Sequence, residues 1–95
     1  TRKPVASDAL LVVEVAQSSL AYDRRRKLPL YARAGVPEVW IAAIDEQVLE
    51  VHRAPTGGRY EVRAERRPGD TVAPEALPDI VLDVEELLRS RYRGG

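Results

Sequence analysis

Cysteine and methionine are both missing from the 95 residues, and the two absences exclude different things. Without cysteine there is no disulfide framework and no thiolate zinc site, which fits a reducing compartment. Without methionine, even at position 1, the chain reads as an excerpt or cleaved product of a longer protein, opening on a polar arm from Thr1 to Ser7. Net charge is missing too. Fifteen Lys and Arg balance fifteen Asp and Glu, so nothing pulls the whole chain toward nucleic acid or membrane, and any DNA contact must come from local patches. No apolar run approaches the ~20 residues of a membrane span and no signal peptide is visible. The expected setting is soluble and cytoplasmic, and the expected organisation is a single domain over residues 1–95. A chain this size buries roughly 60 to 70% of its unfolded surface, enough to fold without much margin.

What is present is organised around Leu10 to Lys27, LLVVEVAQSSLAYDRRRK. Leu10, Leu11, Val12, Val13 and Val15 are apolar on both alternating faces, the pattern of a central strand covered on two sides. Glu14 interrupts that run, and a carboxylate there is costly to bury unless a cation, a metal or several donors meet it. Asp23 then fits the cap of a helix reaching about Ala34, with Gly35 placed to end it. Stepping ~100° per residue puts Asp23, Lys27, Leu28, Leu30, Tyr31 and Ala34 on one arc. Arg25, Arg26, Pro29 and Arg33 fall on the opposite, solvent side. Pro29 removes a backbone donor and predicts a bend just past Lys27. Glu14 and Lys27 therefore turn toward each other across the strand-to-helix crossover.

Around this pair, Asp8 either ends a loop or supplies a secondary acid near Glu14. Gln17, Ser18 and Ser19 either shape the turn by local hydrogen bonds or hold phosphate oxygens and waters around a metal. Further on, Glu38 to Ile44 reads as a second buried strand with Trp40 in the core, parallel to the first by a strand–helix–strand crossover. Val48 to Arg53 pairs back as a hairpin carrying His52, which reads as a surface histidine with no acid or thiol spaced around it for metal. Tyr60 to Glu65 alternates like a half-exposed antiparallel strand. Thr71 to Pro78 reads as irregular. Asp83 and Glu86 fit a helix capping box, and Arg89, Arg91 and Arg93 read as a solvated basic tail.

The segments VVEV, SSLAYD and KLPLYARAGVPEVW closely resemble the bacterial putative restriction endonuclease family, long catalogued as a domain of unknown function, within the PD-(D/E)XK nuclease superfamily. The resemblance runs from about Asp8 through the C-terminal helix and is specific from Leu11 to Trp40. It implies an α/β (α+β) fold with a restriction-endonuclease-like mixed sheet and a C-terminal antiparallel hairpin extension. In such nucleases an aspartate and a glutamate on neighbouring strands hold a divalent metal while a lysine assists the attacking water, and in many members of this family the lysine has moved onto the following helix. Glu14 matches the strand acid and Lys27 the migrated lysine. The second metal-holding aspartate belongs to an upstream strand that this sequence does not contain, and an acidic residue is expected where Gln17 stands. The chain is then the C-terminal part of such a domain, lacking a helix and two strands, with one edge or face of its sheet poorly covered.

Two functions follow. As an enzyme, the chain is a metal-dependent DNA endonuclease, inactive as this fragment, in which Glu14 and the Val15 carbonyl hold Mg²⁺ or Mn²⁺. Lys27 orients the water or neutralises developing charge, Asp23 fixes Lys27 one helical turn away, Tyr31 stands in support, and Arg24, Arg25 and Arg26 reach the nucleic-acid backbone. As a non-catalytic assembly module, it is a homodimer formed through its hairpin and exposed edge, with Glu14 and Lys27 a buried ion pair.

Overall fold

The structure, a computed structural model, describes residues 10–17 and 24–89. Four strands, β1 (Val12–Ala16), β2 (Glu38–Ala43), β3 (Val48–Thr56) and β4 (Arg59–Arg66), form one mixed sheet in the order β1-β2-β3-β4. β1 and β2 are parallel, with Glu14 beside Ile41, and the other two pairings are antiparallel. The expected α+β architecture, a parallel pair followed by an antiparallel extension, is therefore present.

The parallel pair needs a crossover, and the chain makes it through helical residues Arg24 and Arg25, a turn at Arg26 and Lys27, and α1 (Leu28–Arg33). Pro29 explains the interruption. It lies in the first turn of α1, where its missing N–H costs nothing, whereas a continuous helix would have put it in the interior. The expected single helix to Ala34 is thus broken, and the break falls at Arg26 and Lys27. Gly35 ends α1 as expected, at φ 82°, with Gly35 N–H donating to Ala32 O and Val36 N–H to Tyr31 O at 3.0 and 3.1 Å. Those two bonds satisfy carbonyls the helix leaves open, and the left-handed conformation they need is one glycine adopts freely.

Alternation and register divide the sheet into two faces. Val12, Glu14 and Ala16 share one with Val39, Ile41 and Ala43 and with Val48, Glu50 and His52. There α1 packs through Leu28 and Tyr31 on a core of Val36, Val39 and Ile41. The other face carries Trp40, Ala42, Leu49 and Val51, covered by α2 (Val84–Leu88) through Val84 and Leu88. All six residues of β2 are buried.

Three expectations are corrected here. Leu10 to Val15 is not a central strand. Among the described residues β1 is an edge strand, and Val13 and Val15 are 47% and 56% exposed. The physical reason is that α2 packs chiefly over β2 and β3, so the two valines on its side of β1 have no cover. The Thr71 to Pro78 stretch is not wholly irregular, since β5 (Thr71–Val72) pairs antiparallel with β6 (Leu82–Asp83). Asp83 precedes α2 as predicted but makes no side-chain cap. Val84 N–H instead donates to the Asp70 carbonyl at 3.1 Å, and Glu86 pairs with Arg89 at 3.1 Å, so the reciprocal box is not formed. No helix among the described residues is long and apolar enough to cross a membrane.

Candidate active site

Glu14 is the only acid on β1, and its side chain is 15% exposed beneath the crossover. Tyr31, one turn into α1, donates its hydroxyl to Glu14 Oε2. Lys27 Nζ lies 3.8 Å from the same oxygen and Arg24 Nε 3.7 Å from Oε1. These three come together because the chain's break at Arg26 and Lys27 brings both the preceding turn and the start of α1 over β1. The expected approach of Lys27 to Glu14 is therefore present, although Lys27 itself is 45% exposed. Both cations stop just short of hydrogen-bonding distance, and Arg24 Nε is buried with no hydrogen-bond partner among the described residues. The hydrogen bond to Glu14, then burial, push the Tyr31 phenol up to about 12.

The backbone adds a donor beside this carboxylate. Ala16 O accepts from Ile44 N–H at 2.9 Å, so that carbonyl faces β2. Strand carbonyls alternate in direction, which turns the Val15 carbonyl toward the free side of the edge strand.

A second carboxylate sits on the same face, in register beyond Ile41. Glu50 of β3 lies opposite Ile41 and is 1% exposed. Arg25 Nε donates to Glu50 Oε2 at 2.7 Å, His52 Nε2 donates to Oε1 at 3.1 Å, and Arg63 Nη2 lies 3.5 Å away. Burial pushes the Glu50 carboxyl up, but His52, Arg25 and Arg63 together hold it down at about 2. Adjacent residues Arg24 and Arg25 thus straddle Ile41 and reach carboxylates on strands two positions apart.

This arrangement corrects two expectations. Arg25 is not on a solvent arc; it turns in to neutralise Glu50, with Glu46 at 3.6 Å as a further partner. His52 is not a surface residue but is buried between its β2 and β4 neighbours, Val39 and Arg63. The missed pair was marked in the sequence by the same sign that marked Glu14, polar residues at alternate positions of an apolar run, Glu50 inside Val48 to Val51 and His52 directly after it. Of the remaining candidates, Gln17 follows β1 and is exposed, and Arg26 is exposed in the turn. Asp8, Ser19 and Asp23 lie outside the described residues.

Among the described residues no group of three or more His, Cys, Asp or Glu side chains could hold a metal ion. The donors present, the Glu14 carboxylate and the Val15 carbonyl, are oxygen ligands of the kind Mg²⁺ prefers. That ion commonly takes one or two carboxylates and keeps several waters, so the pair fits part of its shell.

An acid near the end of a parallel edge strand thus has a lysine from the crossover beside it. The chain belongs to the Uma2 family, described as "Putative restriction endonuclease", which it matches over residues 1–85. No curated protein matches it.

Proposed function

We propose that this chain forms the strand–helix–strand part of a metal-dependent endonuclease that hydrolyses phosphodiester bonds in DNA. The observation that carries the reading is Glu14, on the edge strand of a chain from a restriction endonuclease family, with Lys27 Nζ 3.8 Å away. Glu14 and the Val15 carbonyl would hold Mg²⁺ or Mn²⁺ together with water, and the resemblance implies a second carboxylate on an upstream strand. When bound, the ion lowers the pKa of a water and stabilises charge on the phosphate.

The chain's own residues do the rest. Tyr31 pins Glu14 Oε2, fixing the carboxylate before substrate arrives, which lowers the ordering cost. Lys27, partly exposed and just beyond direct contact, has space for a water or phosphate oxygen beside it and places a positive charge where negative charge develops on phosphorus. By its spacing in the sequence Asp23 is the candidate support of Lys27, and Asp8, Gln17 and Ser19 are further candidates by sequence alone. Arg24 and Arg26 meet the nucleic-acid backbone; Arg25, held by Glu50, shapes their turn. In the reaction a water oxygen bonds to phosphorus as the bond from phosphorus to the leaving sugar oxygen breaks, and that oxygen takes up a proton.

The test is cleavage of single- and double-stranded DNA with Mg²⁺ or Mn²⁺. The 95-residue chain is expected to cut little, because one carboxylate does not fix the ion. A protein carrying the upstream acidic strand should cut, and Glu14→Ala or Lys27→Ala should each abolish cutting without unfolding it. Inactivity of that longer protein on both substrates with both metals refutes the reading.

The exposed edge favours a second reading. β1 leaves Val13 and Val15 uncovered and one row of backbone groups free of strand partners among the described residues, a template for pairing with another strand. In that reading two chains associate as a non-catalytic homodimer and Glu14 with Lys27 is simply an ion pair. A concentration-independent monomer mass in solution removes it.

A further inference from the structure

On the β3 and β4 side of α1 lies an open cavity of about 320 Å³. Its lining includes His52, buried, and Tyr60, half-buried, whose ring centroids are 6.2 Å apart and tilted at 59°. Leu28 and Pro29 from the start of α1 add apolar surface. Arg59 and Arg63, with side chains 78% and 52% exposed, bring guanidinium groups to its mouth, and Arg25 closes it on the Glu50 side. No carboxylate lines it. The one acid joined to its base, Glu50, is already neutralised by Arg25 and His52.

The chemistry of this lining is unlike that of an ordinary core defect or a plain cation patch. Tyr60, with Leu28 and Pro29 beside it, suits a flat ring, because stacking on an exposed aromatic face is available to any nucleobase. Guanidinium groups above suit a phosphate, which they can meet with paired donors. Arg59 and Arg63 hold only exposed partners, Glu61 at 3.3 Å and Glu65 at 3.2 Å, apart from the longer 3.5 Å approach of Arg63 to Glu50. Exposed pairs of that kind are worth little and exchange readily for a better anion. The volume lies at the lower end of the range for small-ligand sites and matches one nucleotide rather than a longer segment.

We infer that this cavity is a nucleotide subsite, taking a nucleobase against Tyr60 and its phosphate at Arg59 and Arg63. Two sources share that chemistry, a free mononucleotide and an unstacked nucleotide of a DNA strand. The subsite is separate from the Glu14 centre, and it stands or falls without the endonuclease reading.

The experiment is an NMR titration of the ¹⁵N-labelled 95-residue chain with dAMP, with deoxyadenosine, with inorganic phosphate and with a single-stranded oligodeoxynucleotide, following the Gly58, Tyr60 and Arg63 amides. Saturable shifts with dAMP that are at least 10-fold tighter than with phosphate or deoxyadenosine establish the subsite for a free nucleotide. Shifts with the oligonucleotide alone establish it for a strand. Arg59→Ala with Arg63→Ala, both at exposed positions, should weaken either by 10-fold or more while the spectrum stays folded. If neither ligand moves these amides, if phosphate alone binds as well as dAMP, or if the double variant binds normally, the subsite does not exist. DNA cleavage by the longer protein, sensitive to Lys27→Ala, would in each case still be read independently.

Discussion

Replacing Arg25 by alanine isolates the electrostatics of the buried row on the sheet. In the wild type Glu50 is 1% exposed and remains ionised only because Arg25, His52 and Arg63 face it. Its folded pKa, about 2, lies below the ordinary 4.5. A depressed carboxylate contributes stability that is fully present above the unfolded value and lost as pH falls through the folded one. A difference of this size corresponds to about 3 kcal/mol at neutral pH. Arg25→Ala removes the shortest hydrogen bond and leaves a buried charge short of a partner, a change that costs ~3 to 5 kcal/mol in a fully buried pair. Arg25 is 34% exposed, and Arg63 and His52 stay behind, so the expected loss is about 2 to 3 kcal/mol at pH 7. The variant's Glu50 pKa rises, so its stability falls less on acidification. Urea melts at pH 7 and pH 3 should therefore show the gap between wild type and variant shrinking by more than ~1 kcal/mol. A gap below ~0.5 kcal/mol at pH 7, or one that does not change between the two pH values, would refute the assignment of Arg25 as the counter-ion of Glu50.

Two further outcomes follow from the packing and from the site. Trp40→Ala should cost about 3 to 5 kcal/mol in denaturant melts, because the ring is 1% exposed in the core and its Nε1 donates to Glu38 at 2.8 Å; a loss under ~1 kcal/mol contradicts this. Ultraviolet titration should find one tyrosine ionising near 12, and Glu14→Gln should bring that step down, because the hydrogen bond to Glu14 is the main cause of the shift. Since the folded value is raised, the stability due to this bond is complete below the ordinary 10.0 and disappears as pH climbs through about 12; a step that does not move in the variant defeats the assignment.

Much of the scaffold could be read from residue pattern because the pattern reports local chemistry. The apolar run at Val39 to Ala43 and the glycine at position 35 each constrain a few neighbouring residues as expected, while the proline at position 29 breaks the helix at Arg26 and Lys27 instead of bending it past Lys27. The placement of β1 could not be read in this way. Leu10 to Val15 is apolar on both faces, which indicates what the strand can bury, whereas its exposure depends on where α2 lies, seventy residues later in the chain. The approach of Lys27 to Glu14 was accessible because both faces follow from short-range periodicity. The grip of Arg25 on Glu50 was not, because it spans the width of the sheet and depends on the helix break that lets neighbouring arginines diverge. His52 was misjudged for a different reason: its partner, Glu50, stands two residues away, and the alternation of the strand puts both side chains on one buried face.

Glu38 gives the C-terminal segment a dynamic property. Buried at 1% exposure, it accepts from Trp40 Nε1, from Arg53 Nε and from the Glu75 amide at 2.7 to 2.8 Å, and Arg53 reaches on to the Ala73 carbonyl at 2.8 Å. Lifting residues 73–75 off the sheet would therefore strand one donor and one acceptor at a charged centre whose carboxylate is buried. Such a segment has no inexpensive local opening of the kind that lets surface loops exchange amide protons quickly. The Glu75 amide, although it belongs to an exposed residue in a proline-containing loop, should exchange on the timescale of the β2 core amides, so that the loop and the sheet open together as one cooperative unit.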